Sequence, residues 1–324
     1  KLQEIYDEIK KLYQSDDRPW ILGFSGGKDS TCMAQLVWNA IAQLEEQEKK
    51  KEIYIIGCDT LVESPKIVER LKSTLSDMQE QAKEQQLPIS THMVKPNLGD
   101  TFWVLLLGKG YPAPSSQFRW CTERLKIKNA DRFILETVSK FGEAIVLLGT
   151  RKDESQSRQQ LMELYEIKGS LLNRHSKFAQ TYMYCPLKDF LTDDVWNYLL
   201  QNKNPWKGNN RDLLAMYQEA NAAECPLVVD TSTPSCGNSR FGCWTCTVVA
   251  RDKAMDGLLE GGEDWLEPLA EIRDELKRTQ EPEVKLLVRD HKRRNGKVMF
   301  TWSGDDQTSS GPYTLEYRKE LLEK

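Results

Sequence analysis

The sequence predicts an α/β fold with a doubly wound, mainly parallel sheet, followed by a C-terminal region rich in cysteine and helix. Short apolar segments typical of strands alternate with segments whose apolar residues recur at helical spacing. This alternation ends near residue 203, where a stretch rich in Pro, Gly and Asn begins. A chain of 324 residues exceeds the ~100–200 residues of a typical domain. We therefore expect two domains, 1–202 and 203–324.

The predicted elements follow in order along the chain. A strand at 20–24 leads through a glycine turn into a helix at 31–44. The pattern recurs as a strand at 53–57 and a helix that begins at Pro65, a residue favoured at the first helical position. In a sheet built this way, the ligand site lies at the carboxyl ends of the strands. Strands then follow at 89–94, 144–149 and 181–185, and helices at 101–107, 125–138, 193–200 (with Thr192 as N-cap) and 263–278.

Composition and charge exclude several classes of protein. Hydrophobic residues make up 39% and charged residues 29% of the chain, unlike a collagen-like, low-complexity or disordered protein. The 45 basic and 49 acidic residues give a net charge of −4, so any nucleic-acid contact must be local. The longest apolar runs, 102–107 and 144–148, are shorter than the ~20 residues that span a bilayer. The charged start has no signal core and no initiator Met, so we expect trimmed upstream residues, a cytoplasmic location and no membrane partner.

The stretch SGGKDS at 25–30 predicts an anion-binding loop. It follows a strand and leads into a helix, so backbone N–H groups and the positive end of the helix dipole converge there. Its two glycines allow close approach of the main chain because they lack a Cβ. The spacing does not fit a Walker A loop, since Asp29 follows Lys28 where that motif has Ser or Thr.

Four ordered motifs carry a family resemblance. SGGKDS resembles the PP-loop of ATP pyrophosphatases, which cleave ATP to AMP and pyrophosphate. The resemblance implies an adenine nucleotide alpha hydrolase-like fold that uses ATP and Mg²⁺. The other three motifs are similar to the phosphoadenosine-phosphosulfate reductase branch, and they are GCDTLVESP at 57–65, LGTRKDESQSR at 148–158 and CPLKDFLTDDVWNYL at 185–199.

The resemblance also implies roles for individual residues. Lys28 and Asp29 would act catalytically in the loop, and Arg151 and Arg158 would face the anionic group of the acceptor. The arginine assignment has independent support, because the planar guanidinium suits phosphate oxygens and both residues follow a predicted strand. The cofactor-binding residues implied are Ser25, Gly26, Gly27, Ser30 and Thr31 for the phosphates, Asp59 for ribose or metal, and Gly149 bordering the nucleotide.

Two acidic residues lie between the arginines. Asp153 and Glu154 could bind Mg²⁺ or pair with Arg151 and Arg158, and pairing is the slightly favoured alternative.

The cysteines predict a metal centre. Eight cysteines are too sparse for a disulfide scaffold, but Cys236, Cys243 and Cys246 form a compact C-x6-C-x2-C array. The family resemblance makes Cys121 the fourth ligand, with Cys225 in reserve. Four thiolates fit a [4Fe-4S] cluster or a zinc ion, and spacing alone does not distinguish them. The resemblance favours the iron–sulfur cluster.

Two basic stretches predict a local surface for polyanions or a solvated face. Residues 284–297 carry six Lys or Arg and one acid, and residues 119–128 carry four basic residues and one acid. Together with GPYTLEYRKELL at 311–322, the whole pattern resembles DndC-type sulfurtransferases of DNA phosphorothioation and their single-strand SspD counterparts. That resemblance implies adenylation of a DNA phosphate, release of pyrophosphate and insertion of sulfur. It also implies a cysteine desulfurase as sulfur donor, and other subunits of a phosphorothioation complex as partners.

Two alternative functions stay open. The chain could be an iron–sulfur reductase of adenylyl sulfate or phosphoadenosine phosphosulfate, or a nucleotide-binding scaffold of a DNA-modification complex. Such reductases carry a catalytic cysteine near the C-terminus, whereas no cysteine follows Cys246 in this sequence. This difference favours the sulfurtransferase.

Overall fold

The computed structural model describes residues 2–219, 242–300 and 309–324, and these form two compact units that interleave along the chain. The sequence predicts one domain boundary, near residue 202, and that boundary stays a prediction. The first unit comprises the described residues within Lys1–Cys58, Pro65–Val94 and Asn129–Phe241, and the second those within Asp59–Ser64, Lys95–Lys128 and Gly242–Lys324.

A six-stranded sheet forms the centre of the first unit, with strand order β3-β2-β1-β4-β6-β5. All neighbouring strands are parallel except β5 and β6, which are antiparallel. This confirms the predicted α/β class with a mainly parallel sheet. The two-residue β5 was not predicted, because it is too short to show an apolar pattern. The strands are β1 (Trp20–Gly23), β2 (Ile53–Cys58), β3 (Ile89–Val94), β4 (Ala144–Leu147), β5 (Asn173–Arg174) and β6 (Thr181–Tyr184).

Helices connect these strands. The helix predicted from residue 31 begins three residues earlier, so Lys28 lies in its first turn. Thr192 is the first residue of its helix rather than the predicted N-cap, a position that Leu191 occupies. The helices are α1 (Leu2–Gln14), α2 (Lys28–Ala42), α3 (Pro65–Glu84), α4 (Lys128–Phe141), α5 (Gln156–Leu164), α6 (Thr192–Gln201) and α7 (Asn210–Glu219).

The core of the first unit is densest around β1 and α2. Trp20, Ile21 and Leu22 are completely buried, as expected for a central parallel strand covered on both faces. Met33 and Leu36 of α2 are also completely buried. The segment between these two elements is therefore anchored at both ends by the best-packed part of the unit.

The second unit is mainly helical. Its core contains Phe102, Leu105, Trp120, Leu276 and Tyr313. Wide π-helical turns, of a kind frequent at functional sites, end the helix predicted at 101–107 (Val104–Gly108) and lead into the helix predicted at 125–138 (Thr122–Ile127). No helix in the described ranges is long and apolar enough to cross a membrane. The α-helices of this part are α8 (Lys253–Glu260), α9 (Glu267–Arg278), α10 (Pro282–Val288) and α11 (Leu315–Glu323).

Candidate functional site

The predicted anion-binding loop joins the end of β1 to the start of α2. Gly26 has a φ of +74°, in the left-handed region that favours glycine. Gly27 is the N-cap of α2 and provides no side-chain hydrogen bond to the helix. The amino-terminal end of α2 therefore points its N–H groups and its positive dipole into the loop, which is the geometry of an anion site.

Hydroxyl groups close the loop on itself. The Ser30 hydroxyl donates to the carbonyl oxygen of Gly27 at 3.0 Å and lies 3.1 Å from the Ser25 hydroxyl. Ser30 and Thr31 are buried. These contacts hold the turn together, and the direct phosphate contacts of Ser25, Ser30 and Thr31 stay predictions.

Two cations fix the loop aspartate, Asp29. Its Oδ1 accepts a hydrogen bond from Arg151 Nε at 2.7 Å, and its Oδ2 accepts one from Lys28 Nζ at 2.7 Å. The Lys28 and Asp29 side chains are 16% and 22% exposed, so both reach the surface of the loop. The predicted catalytic pair thus lies in one charged network at the amino-terminal end of α2.

Arg151 is buried among polar groups of the protein. Its side chain is only 3% exposed, and its remaining guanidinium nitrogens donate to Asp153 Oδ2, the Phe190 carbonyl and Thr192 Oγ1 at 3.2–3.3 Å. These contacts explain why Thr192 does not cap its own helix. Protein groups surround the guanidinium, so Arg151 positions Asp29 in this structure, and its contact with the anionic group of the acceptor stays a prediction.

Arg158 is the more accessible of the two predicted arginines. It is 36% exposed and forms an ion pair with Glu154, with Nε and Oε2 2.8 Å apart. Glu154 also accepts a hydrogen bond from the backbone N–H of Arg151. Asp153 and Glu154 therefore pair with the arginines, which was the favoured alternative, and a role in binding Mg²⁺ stays a prediction.

Gly149 lies against the first turn of α2. A Cβ at this position would be 2.9 Å from the backbone C and O of Asp29 and 3.1 Å from the backbone N of Ser30. Only glycine allows such an approach. The residue predicted to border the nucleotide thus packs directly on the loop that carries Lys28 and Asp29.

Tyr217 is a loop contact that sequence reasoning missed. Its hydroxyl accepts a hydrogen bond from the backbone N–H of Lys28 at 3.1 Å, and its ring lies edge-on to Trp196. A Cβ at Gly27 would be 3.2 Å from the same hydroxyl. The apolar spacing of Leu213 and Tyr217, four residues apart, is the signal that could have identified α7.

Asp59 directly follows the last residue of β2 and belongs to the second unit. It is 3% exposed, and its Oδ1 accepts a hydrogen bond from the backbone N–H of Leu61, whose φ is +65°. Its Oδ2 lies 3.8 Å from Lys95 Nζ. The carboxylate is therefore held in a strained turn, and its contact with ribose or metal stays a prediction.

Three of the four predicted metal ligands lie in described parts of the second unit, and all three are free thiols. Burial raises the pKa of Cys243 to about 12, and the nearby charges of Glu63 and Cys121 act in the same direction. Burial also raises the pKa of Cys121, with a contribution from the charge of Cys246. The backbone N–H of Cys246 donates to the carbonyl oxygen of Cys243 at 3.0 Å, so these two cysteines lie in one turn.

The surroundings of the thiols are apolar and aromatic. Cys121 and Cys243 pack against the core of the second unit, and Trp103 and Trp244 have ring centroids 5.8 Å apart. The Cys243 sulfur also lies 3.5 Å from the Thr60 hydroxyl. Such an environment shields a metal centre from solvent.

The donor chemistry of these thiols fits an iron–sulfur cluster or zinc. Within the described ranges, however, no three His, Cys, Asp or Glu side chains are arranged to hold a metal ion. Cys236, the fourth predicted ligand, and the reserve ligand Cys225 lie outside the described residues. The identity of the metal and the complete ligand set therefore stay predictions.

Comparisons with known proteins place this site in a family. The family described as phosphoadenosine phosphosulfate reductase domain matches residues 19–249. An uncharacterized protein of Methanocaldococcus jannaschii, MJ0066, is 25% identical over 198 residues, which are 61% of this chain and 35% of that protein. The chain therefore spans about a third of the length of this curated relative.

Two solved structures are similar to the chain. One is phosphoadenylyl-sulfate reductase from Candida auris, with 13% identity, a TM-score of 0.40 and coverage of 66% of this chain and 90% of that chain. The other is the U34-tRNA thiolase NcsA from Methanococcus maripaludis with its [4Fe-4S] cluster, with 13% identity, a TM-score of 0.40 and coverage of 88% and 78%.

Proposed function

We propose, from the premise that the chain belongs to the phosphoadenosine phosphosulfate reductase domain family, that it is an ATP-dependent sulfurtransferase acting on DNA. The enzyme would activate a backbone phosphate by adenylation and replace one of its oxygens with sulfur. One observation carries the proposal: a single chain combines the Lys28–Asp29 anion loop with the partly buried free thiols Cys121, Cys243 and Cys246. The first suits cleavage of ATP, and the second suits delivery of sulfur.

The anion loop supports the activation step. A DNA phosphate oxygen attacks the α-phosphorus of ATP, and the bond to the bridging oxygen breaks so that pyrophosphate leaves with the electron pair. Lys28 Nζ and the N–H groups of α2 would stabilise the charge that develops on the phosphates. Asp29, held by Arg151, would orient the bound Mg²⁺, which neutralises phosphate charge. The exposed Arg158 would bind the anionic acceptor.

The thiols support the second step. A cysteine desulfurase would carry the sulfur as a persulfide on its own cysteine, and free cysteine in the medium would release it as hydrosulfide while forming a mixed disulfide with the desulfurase cysteine. Attack of hydrosulfide on the adenylated phosphorus forms the P–S bond, AMP leaves, and the proton goes to solvent. Cys121, Cys236, Cys243 and Cys246 would hold a [4Fe-4S] cluster, with zinc as the alternative, and the cluster would supply an iron that binds the hydrosulfide in exchange for one of these thiolates.

Two alternatives remain. The family match itself favours an iron–sulfur reductase of adenylyl sulfate or phosphoadenosine phosphosulfate. A nucleotide-binding scaffold within a DNA-modification complex needs only the anion loop.

Turnover assays under anaerobic conditions distinguish the sulfurtransferase, the reductase and the scaffold. The protein is incubated with ATP, Mg²⁺, DNA, a cysteine desulfurase and cysteine, and pyrophosphate, AMP and phosphorothioate are measured. Production of sulfite from phosphoadenosine phosphosulfate would instead identify a reductase, and absence of turnover with any acceptor would identify a scaffold.

Paired variants test whether the anion loop and the thiols act in separate steps. We expect Asp29→Ala to abolish pyrophosphate release and leave the visible absorbance of the anaerobic protein intact. Cys243→Ser should remove the absorbance and sulfur transfer. Cys185→Ser is the control, because this thiol is buried beside the Thr150 hydroxyl in the first unit and should affect neither. Loss of colour in Asp29→Ala would contradict separate roles for the two sites.

A further inference from the structure

We propose that an exposed aromatic surface of the second unit binds single-stranded nucleic acid by stacking on its bases. This stacking surface consists of Tyr111, Phe118 and Arg294. It deepens the proposed function, on which it rests for the identity of the acceptor, because it names how the strand is held.

The rings of the stacking surface are nearly parallel. Tyr111 and Phe118 have an interplanar angle of 10° and centroids 6.5 Å apart. The Arg294 guanidinium carbon lies 4.9 Å from the centroid of the Tyr111 ring. Phe118 is 47% exposed, so its ring is accessible to a ligand. The surface therefore offers both an aromatic face and a planar cation, the two groups on which nucleobases stack.

The local backbone holds these rings in place. The Phe118 N–H donates to the Ser115 carbonyl at 3.1 Å, and the Ser115 N–H donates to the Phe118 carbonyl at 3.3 Å. Tyr111 lies edge-on to the buried Trp120, whose indole N–H donates to the Pro112 carbonyl at 2.8 Å. Rings fixed in this way lose little conformational entropy when a base stacks on them.

The cation of the stacking surface belongs to a basic stretch of the chain. Arg294 belongs to the stretch 284–297, which has six Lys or Arg and one acid in a chain of net charge −4. That one acid, Asp290, contacts His291, and none of the six basic side chains pairs with a described carboxylate. Arg289 and Arg293 donate instead to backbone and hydroxyl oxygens at 309–311. This local excess of positive charge suits a phosphate backbone.

The geometry favours a single strand over a duplex or a membrane. Base faces are accessible only where bases are unstacked, as in single strands. Exposed Leu286 and Leu287 of α10 could serve a membrane surface, but two parallel rings with a guanidinium stacked on one of them match the groups on which bases stack. Phe118 also precedes the predicted ligand Cys121 by three residues, so a strand bound there would lie in the same unit as the thiols.

The test is binding of a fluorescent 12-nucleotide single-stranded DNA to the whole chain, measured by anisotropy without ATP or sulfur donor. We expect Phe118→Ala to raise the Kd by roughly 5- to 150-fold, the effect of losing one stacked base. Arg294→Gln should also weaken binding and lower the slope of log Kd against log salt by about 0.7. Phe118→Leu provides a second variant that keeps apolar volume and should weaken binding as well.

Phe141→Ala is the matched control. Phe141 is 41% exposed and has an aromatic neighbour, Tyr54, and a cation, Lys140, over its ring, but it belongs to the first unit. Its loss should leave the Kd unchanged.

Three results would overturn the stacking surface: an unchanged Kd in both Phe118 variants, equal affinity for the matching duplex, or Phe118-dependent binding to phosphatidylserine vesicles in place of DNA. Wild-type sulfur transfer by Phe118→Ala would overturn this surface and leave the proposed function standing. DNA binding that depends on Phe118, without any sulfur transfer, would overturn the proposed function and leave this surface standing.

Discussion

Substitution of Gly149 by Ala tests whether the close packing of this residue fixes the anion loop. The added Cβ would lie 2.9 Å from the Asp29 carbonyl carbon, about 0.6 Å inside the ~3.5 Å at which carbon atoms normally touch. The obstacle is backbone rather than a flexible side chain, so the first turn of α2 or the end of β4 must move. Overpacking of this kind costs about 1–3 kcal/mol.

Two readouts follow from that displacement. The melting temperature of the first unit should fall by roughly 2–12 °C, because each kcal/mol shifts it by about 2–4 °C in a domain of this size. The rate of pyrophosphate release should fall about tenfold, because a 1 Å misplacement of reacting groups can cost ~100-fold and the expected shift is about half of that.

Gly99→Ala is the matched control for Gly149→Ala. A Cβ at Gly99 would have no neighbour within 4 Å, and the residue is exposed, so melting temperature and turnover should not change. If Gly149→Ala behaved like Gly99→Ala in both assays, the loop would be able to accommodate the added Cβ without loss of stability or turnover. The close approach would then have no part in positioning Lys28 and Asp29.

Two further substitutions probe the contacts of the loop. Tyr217→Phe removes the hydroxyl that occupies a loop N–H, and we expect ATP to bind about 3- to 10-fold more tightly by calorimetry, since the phosphate no longer displaces a hydrogen bond. Tyr54→Phe should have no effect, and weaker binding by Tyr217→Phe would mean that the hydroxyl assists the phosphate. Arg151→Lys loses the planar fork, and we expect its free energy of unfolding to fall by about 1.5–3 kcal/mol in urea titrations. The exposed Arg158→Lys should change that free energy by less than about 0.5 kcal/mol, and equal effects would contradict a positioning role for Arg151.

The parts of the fold that the sequence predicts are those whose signals are local. The strand at β1 is a continuous apolar run because it is buried on both faces, and α2 shows its apolar residues at helical spacing. The loop between them contains two glycines, and the residue type alone indicates that the main chain can approach a ligand closely there. These three elements define the anion site, so its location could be predicted without coordinates.

The parts that were missed depend on contacts between distant segments. Tyr217 lies 189 positions from Lys28 along the chain, and no spacing rule connects them. Arg151 has the residue type of an anion ligand, but whether a guanidinium faces solvent or a ring of carboxylate, carbonyl and hydroxyl oxygens depends on tertiary packing. The segments 59–64 and 95–128 likewise join the second unit through long-range packing, which no local pattern shows.

The burial of Arg151 is itself an argument for function. A guanidinium that is 3% exposed loses its hydration, and a buried ion pair seldom stabilises a protein more than apolar packing of the same volume does. A gain in stability therefore does not explain why this charge lies beneath the loop. What the arrangement does provide is an Asp29 carboxylate whose orientation is set by protein groups, with Lys28 paired to its other oxygen. Groups that are fixed in advance need no reorganisation when charge develops on a phosphate, and this preorganisation is the principal means by which polar sites accelerate phosphoryl and adenylyl transfer.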